Sequence, residues 1–284
     1  MELTPVRSPN LIACLILSFN KPEISRRCIL SCLPHFNPEN IFLIHNGSIE
    51  KHRKVLEKEF SEIQHLILDN NLGYSGGTQF GIEQIFKVQN YSLCFFITND
   101  CELLNFPIHI FEEFNNKQNL FSGGILLRRD LEIECTFGAV NLYRGRLRHL
   151  KQLTDLGPQE QLYIPGHFFL ISKATWNCLS GLNTKLHTYW EDVELSLQCH
   201  RKGIPLGYFP ELQVKHAGGK TTRGNPFYSL YLYQRNRKKV SWLYTPSHLC
   251  FSFYFGYDFI RLLCKQILSR KFENLKYFWK ILVD

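Results

Sequence analysis

The chain has 284 residues, 44% of them hydrophobic and 14% aromatic, with a net charge of +8. That is enough apolar material for a substantial core in one large or two modest domains, and it excludes general disorder. The positive balance favours anionic partners (nucleotides, phospholipid head groups or nucleic acid) without choosing among them.

The ten cysteines form no CxxC pair, and several stand in apolar runs. This pattern points away from a disulfide framework or zinc site and toward a reducing compartment. The N-terminal stretch lacks the charged-then-apolar pattern of a signal peptide, and no uncharged run reaches the roughly eighteen residues that span a bilayer.

Leu11 to Ser18 reads as the first strand. Asn20 then stands as a cap, Pro22 and Glu23 suit a first helical turn, and the helix ends near Leu33, before Pro34. Ile41 to Ile44 is a second strand, ending in His45-Asn46-Gly47-Ser48. Lys51 to Phe60 reads as a charged helix and Leu66 to Leu68 as a third strand. The glycine-rich stretch from Asn70 to Gly81 reads as a loop before a helix over Ile82 to Val88. Its glycines either bring backbone close to a ligand or serve only the turns of the loop.

Ser92 to Thr98 is the fourth β element, and it stops abruptly at Asn99-Asp100. Continuous apolarity predicts a strand buried on both faces, and the β-α alternation predicts a parallel sheet with right-handed crossovers. Ligands of such sheets collect at the carboxyl ends of the strands. Two readings fit Asp100: a cation ligand, or a cap for the following turn.

Pro107 to Lys117 reads as the next helix. From Phe121 to Tyr163 short apolar runs such as Gly138 to Tyr143 alternate with polar loops, and this half is expected to hold the acceptor. Pro165 to Ile171 is another buried strand, followed by a short helix over Lys173 to Leu179. Thr188 to Gly203 reads as a helix ended by Gly203. Glu191 and Asp192 at its start either complement the helix dipole or, behind Tyr189 and Trp190, serve as a base that meets a sugar. Leu206 to Phe209 and Leu212 to Val214 form the last strand, and His216 at its end is either structural or a ligand.

From His248 large apolar residues mix with Arg261, Lys265, Arg270, Lys271 and Lys276. These basic amphipathic helices either lie on an anionic membrane surface or pack on the domain with their charges outside. Basic residues concentrated after residue 200, beside large apolar ones, suit lipid better than a duplex, so no nucleic-acid partner is expected.

Taken in order, Leu17-Ser18-Phe19-Asn20-Lys21-Pro22, Asn46-Gly47-Ser48, Asn71-Leu72-Gly73-Tyr74-Ser75-Gly76-Gly77, Thr98-Asn99-Asp100, Trp190-Glu191-Asp192-Val193-Glu194-Leu195, His216-Ala217-Gly218-Gly219 and Arg235-Asn236-Arg237 form a familiar series. It resembles glycosyltransferase family 2, the inverting GT-A enzymes, particularly the bacterial rhamnosyltransferase-like branch, over roughly residues 11 to 240. The implied fold is α/β: a GT-A domain with a Rossmann-like, mostly parallel sheet flanked by helices. Its nucleotide half would run to about 120 and its acceptor half to 240, with a helical extension over 241–284.

The resemblance also implies roles. Asp100 matches the last carboxylate of a DXD-type motif that holds a divalent metal, Mn²⁺ or Mg²⁺, on the donor's diphosphate, and His216 matches the histidine completing that site. Asp192 matches the catalytic base, with Glu191 orienting the acceptor. Asn71, Gly73 and Gly77 match the loop lining the nucleotide, and Ser18 and Asn20 the strand end beside the nucleoside. His45, Asn46 and Asn99 stand in the same nucleotide-binding motifs. Three positions depart from the family: His45 and Asn183 stand where Asp is usual, and Thr98 replaces the first carboxylate of the metal motif. The implied reaction moves a sugar from a nucleotide-diphosphate sugar to a glycan or lipid-linked acceptor, in cytoplasmic cell-surface polysaccharide or lipopolysaccharide assembly at the inner face of the membrane. A non-catalytic sugar-nucleotide or glycan binder of the same fold is the alternative, and His45 is the feature that favours it.

Overall fold

The computed structural model describes residues 12–88, 91–107, 110, 121–216, 226–268 and 275–284. In chain order β1 (Ile12–Ser18), α1 (Pro22–Cys32), β2 (Ile41–Asn46), α2 (Glu50–Glu59), β3 (Gln64–Leu68), α3 (Gly73–Lys87) and β4 (Leu93–Thr98) reproduce the predicted alternation. Their strands lie in the order β3-β2-β1-β4, all parallel. Successive side chains of β1 point to opposite faces. Ile12, Cys14 and Ile16 join a core with Cys28, Ile29 and Cys32 of α1, whereas Ala13, Leu15 and Leu17 join one with Ile82 and Ile85 of α3. Both faces are dry, so the run is continuously apolar. Each leucine or isoleucine among them contributes about 1.5–3 kcal/mol on burial.

The glycine stretch is not a loop. Helix α3 begins at Gly73, and the glycines fill its first turns. A Cβ on Gly77 would lie 2.7 Å from Leu17 Cδ1, and one on Gly81 would lie 2.3 Å from Ile44 Cδ1. Glycine costs a helix about 1 kcal/mol relative to alanine, and here it lets α3 lie directly on β1 and β2.

A fifth strand that the sequence reading missed, β5 (Cys101–Asn105), follows at once. Then come β6 (Phe121–Leu127), β7 (Ile133–Cys135), β8 (Phe137–Asn141), β9 (Arg146–Leu150), β10 (Glu160–Tyr163), β11 (Phe168–Ser172), α4 (Lys173–Cys178), α5 (Glu191–Arg201) and β12 (Leu206–His216). Among the described residues the main sheet continues past β4 as β11-β6-β12-β5, with β7 on β6, while β10-β8-β9 form a second sheet. In this half β11 runs antiparallel to β4 and β6, and β12 antiparallel to β5. Only Asn99 and Asp100 join β4 to β5, although three strands separate them in the sheet. The sheet therefore curls, and its far edge returns to the strand-end crevice. The helix read over 107–117 lies outside the described residues apart from Pro107 and Ile110, as do Ala217 to Lys220, Arg270 and Lys271.

Helices α6 (Pro226–Tyr244), α7 (His248–Leu268) and α8 (Leu275–Val283) follow. Helix α6 runs through the boundary expected at 240. Lys238 Nζ donates to the carbonyls of Ile281 and Leu282, and the Tyr231 hydroxyl donates to Asp284, which ties α8 back to α6.

Candidate active site

The strand order reverses between β1 and β4, the point at which an open α/β sheet leaves a crevice. A cavity of about 400 Å³ opens there, a size typical of ligand pockets. Leu17, Phe19, Asn46, Thr98, Asn99 and Asp100 supply its wall from the strand ends. The start of α3 adds Asn71, Gly73 and Tyr74, and α6 closes one side with Tyr228 and Leu232.

Strand alternation sorts the predicted nucleotide residues. Asn46 faces α3, and its carboxamide holds the loop entering that helix. Asn46 Oδ1 accepts from Leu72 N at 2.9 Å, and its Nδ2 donates to Gly73 O at 2.9 Å and Asn71 Oδ1 at 3.2 Å. Asn71 Oδ1 also accepts from Gly73 N. Gly73 has φ 73°, and a Cβ there would lie 2.3 Å from His187 O, so no larger residue fits.

Ser18, His45, Asn20 and Gly77 are not among the residues that line this cavity. Ser18 and His45 point to the α1 and α2 side, away from the cavity. Ser18 Oγ bonds Ser25 Oγ at 2.7 Å, and Asn99 Nδ2 donates to the same hydroxyl. His45 Nε2 bonds His65 Nδ1 at 2.9 Å, while His65 Nε2 donates to Phe60 O. Burial pushes the His45 pKa down to about 4, so the ring is neutral. The histidine that favoured an inactive binder thus faces away from this cavity. Asn20, at φ 42°, does not cap α1. Its Oδ1 accepts from Ile49 N, bracing the turn after β1 against the turn before α2. Gly77 is a packing residue under Leu17 and Asn46.

Asp100 stands in the turn between β4 and β5. Register pairs His216 of β12 with Cys101 of β5, which sets His216 Nε2 3.6 Å from Asp100 Oδ2. On its other side His216 Nδ1 lies 3.4 Å from Glu134 Oε2 of β7. The Asp100 carboxylate, with Glu134 behind it, holds the His216 imidazole above its ordinary value. His167 packs its ring against His216, with centroids 4.9 Å apart, and burial pushes its pKa down to about 4.

Asp192 sits at the start of α5, after a strained approach. His187, Tyr189 and Trp190 all have φ between 66° and 73°, at about 1–3 kcal/mol each. Asn236 of α6 holds this loop: its Nδ2 lies 2.8 Å from the carbonyls of Leu186, Thr188 and Tyr189. Arg235 Nη2 adds bonds to the carbonyls of Lys185 and Leu186. Asp192 Oδ2 accepts from Gly166 N at 2.9 Å, and Oδ1 from Val193 N at 2.8 Å. Each oxygen keeps a lone pair for a proton. Burial raises the Asp192 pKa against the pull of those two N–H groups.

Asp192 does not line the strand-end cavity; Asp100 does. One corner, Gly166-His167, joins them. Gly166 N holds Asp192, Gly166 O accepts from the Tyr74 hydroxyl at 2.6 Å, and His167 O accepts from Thr98 N and Oγ1 beside Asp100. Glu191 does not line the cavity either. It is buried, its Oε2 has no hydrogen-bond partner, and burial together with the Asp192 charge lifts its pKa well above the carboxylate range. It faces the interior. Sequence reasoning missed Glu134, His167 and the work of Asn236; Asn236 alone carried a local signal, between two arginines.

No family model matches the chain, and no curated protein matches it in sequence. Its fold is similar to the crystal structure of GalNAc-T7 with UDP, GalNAc and Mn²⁺: TM-score 0.61, 14% identity, covering 83% of this chain and 48% of that one. It is also similar to S. aureus TarS, at TM-score 0.53 and 9% identity over 80% of this chain and 39% of that one. The third is mannosyltransferase PcManGT from Pyrobaculum calidifontis in complex with GDP-Man and Mn²⁺, at TM-score 0.54 and 8% identity over 98% and 75%. The chain spans half or less of the first two. At these identities the likeness is one of fold, and that fold is GT-A: a curled sheet, parallel in its first half, flanked by helices and followed by a helical C-terminal region.

Proposed function

We propose that this protein is an inverting glycosyltransferase that moves a sugar from a nucleoside-diphosphate sugar to a hydroxyl of a glycan or lipid-linked acceptor. The observation that carries the reading is Asp100, on the wall of the strand-end cavity and 3.6 Å from His216. The similar structures support it, since GalNAc-T7 was solved with UDP and Mn²⁺ and PcManGT with GDP-Man and Mn²⁺. The motif series resembling family 2 supports the finer assignment, with a rhamnosyltransferase-like donor and a setting in cell-surface polysaccharide or lipopolysaccharide assembly. A lipid-linked acceptor would be met at a membrane surface, and the C-terminal helices carry an exposed apolar face for one.

The residues fit a divalent cation. Donor atoms 3.6 Å apart can both reach one ion at bond lengths of about 2.0–2.2 Å. Among the described residues no group of three His, Cys, Asp or Glu side chains could hold a metal. Two protein ligands suffice where phosphates and water complete the shell. A carboxylate with an imidazole leans toward Mn²⁺ over Mg²⁺. When bound, such an ion neutralises charge on a diphosphate leaving group. Asp192, ionised and fixed by Gly166 N–H, takes the acceptor's proton as general base. A single base on the side opposite the leaving group gives inversion.

The test is a thermal-shift screen of UDP, GDP and dTDP sugars with and without Mn²⁺. One of them raises the midpoint only with metal, by the equivalent of about 2.7 kcal/mol at a hundredfold excess over Kd, and Asp100→Ala abolishes that shift. No response to any sugar nucleotide sinks the transferase reading; an unchanged shift in Asp100→Ala removes the metal role from that residue.

A further inference from the structure

Helix α7 meets the protein along one face. Phe251, Phe255 and Phe259 turn inward, and Phe259 meets Phe278 of α8 with ring centroids 5.4 Å apart. Leu249, Phe253, Tyr257 and Ile260 recur at helical spacing on the opposite face, and they are 83%, 69%, 59% and 61% exposed. Leu268 continues the stripe, which runs about 28 Å at 1.5 Å per residue. On α8, Trp279, Leu282 and Val283 are exposed at one-turn spacing. Large apolar side chains gathered like this mark an interaction surface.

Beside the stripe the same helix sends Arg261 and Lys265 to the wall of a second cavity of about 400 Å³, shared with Arg146 and the buried Arg237. Asp258 is the acidic residue among those described on that wall, and it accepts from Arg146 at 2.9 Å and from Arg237 at 2.7 Å. Among the described residues Arg146, Arg237 and Arg261 face the single carboxylate of Asp258, so the wall is net positive. No helix among the described residues is long and apolar enough to cross a membrane, so the face lies on its occupant. A two-fold contact with a second copy would bring two such cationic walls together, and an anionic occupant relieves that repulsion. An apolar stripe flanked by Lys and Arg is the pattern of a helix lying in a lipid interface.

We propose that the α7–α8 face docks on a bilayer containing anionic phospholipids. The stripe through Leu249, Phe253, Tyr257 and Ile260 enters the boundary between head groups and acyl chains, while Arg261 and Lys265 meet lipid phosphates. The inference stands apart from sugar transfer, since docking needs no turnover.

The test is flotation of the full chain with vesicles of phosphatidylcholine alone, and of equal parts phosphatidylcholine and phosphatidylglycerol. Binding is expected on the mixed vesicles and to weaken with salt. Arg261→Ser with Lys265→Ser weakens it about 30-fold, near fivefold per cation. Phe253→Ser with Ile260→Ser abolishes it at an unchanged thermal midpoint, because both residues are exposed. Equal binding to the two compositions, or no binding to either, overturns the proposal. A concentration-dependent dimer that Phe253→Ser with Ile260→Ser dissolves, without vesicle binding, gives the face to a second copy and overturns it equally.

Discussion

The strand ends of the first half and the loop leading into α5 differ in which polar side chains they leave without a partner. Ser18, Asn20, Asn46 and Asn99 each bond to a neighbouring turn or helix, and Gly73 accepts the positive φ that its turn needs. Around Asp192 three non-glycine residues carry positive φ, and the buried Oε2 atoms of Glu191 and Glu194 have no hydrogen-bond partner. The first region has strain of its own, with Asn20 and Lys21 at φ 42° and 86° and the His45 Nδ1 buried without a partner, but its cavity-side amides are paired. The second stores strain and holds acids out of water, which raises their pKa values. Broken local rules are a pointer to function rather than a proof of it, and around Asp192 they coincide with buried acids, which is why the proposed base is sought there.

The largest effect should come from the second region's carboxylate. Asp192→Asn is expected to lower turnover by about 10²- to 10⁴-fold, while the donor-induced thermal shift persists. A general base acts ionised, and its raised pKa places the acid limb of the rate profile above the ordinary aspartate range. Activity should therefore climb with pH through that limb, and the limb should vanish in the variant. Full turnover by Asp192→Asn would remove the residue from the mechanism.

Breaking the support should cost less. Asn236→Ala strips the donor from three loop carbonyls and is expected to destabilise by about 1–3 kcal/mol. Denaturant midpoints measure it, and a variant as stable as the parent would show that the loop holds its strained form without the amide.

The smallest effect has the opposite sign. Glu191 is buried with its folded pKa raised, so the native state binds more protons than the unfolded chain and stability falls as pH rises through that pKa. Glu191→Gln should raise the thermal midpoint at neutral pH by about 2–4 °C for each kcal/mol gained. The gain should fade below the ordinary glutamate range, where the parent is protonated in both states. A lower midpoint at neutral pH would mean that a charged Glu191 has a partner, and the contrast between the two regions would fail there.

Much of the parallel half was legible from residue order. Ile12 to Ser18 and Leu93 to Thr98 form strands where continuous apolarity predicts them, and Gly203 ends α5 with φ 67°. The glycine stretch misled because the same residues suit a ligand loop and a helix packed tightly on a sheet; only the distances from Gly77 to Leu17 and from Gly81 to Ile44 decide. Glu134 and His167 gave no local signal, since each matters only through a ring or carboxylate brought from another strand.

What the sequence alone determined was therefore local: where the strands β1, β2 and β4 lie, and that Asp100 follows a strand while Asp192 opens a helix. Burial of an apolar run and backbone conformation depend on neighbours along the chain. Tertiary structure alone decided that Ser18 and His45 turn from the crevice, that His216 stands opposite Asp100, and that Gly166-His167 links the two aspartates. Those outcomes rest on which helix covers which face and on the register of β12 against β5. Pairing between residues more than a hundred positions apart is set by closing the whole sheet, not by any short stretch of the chain.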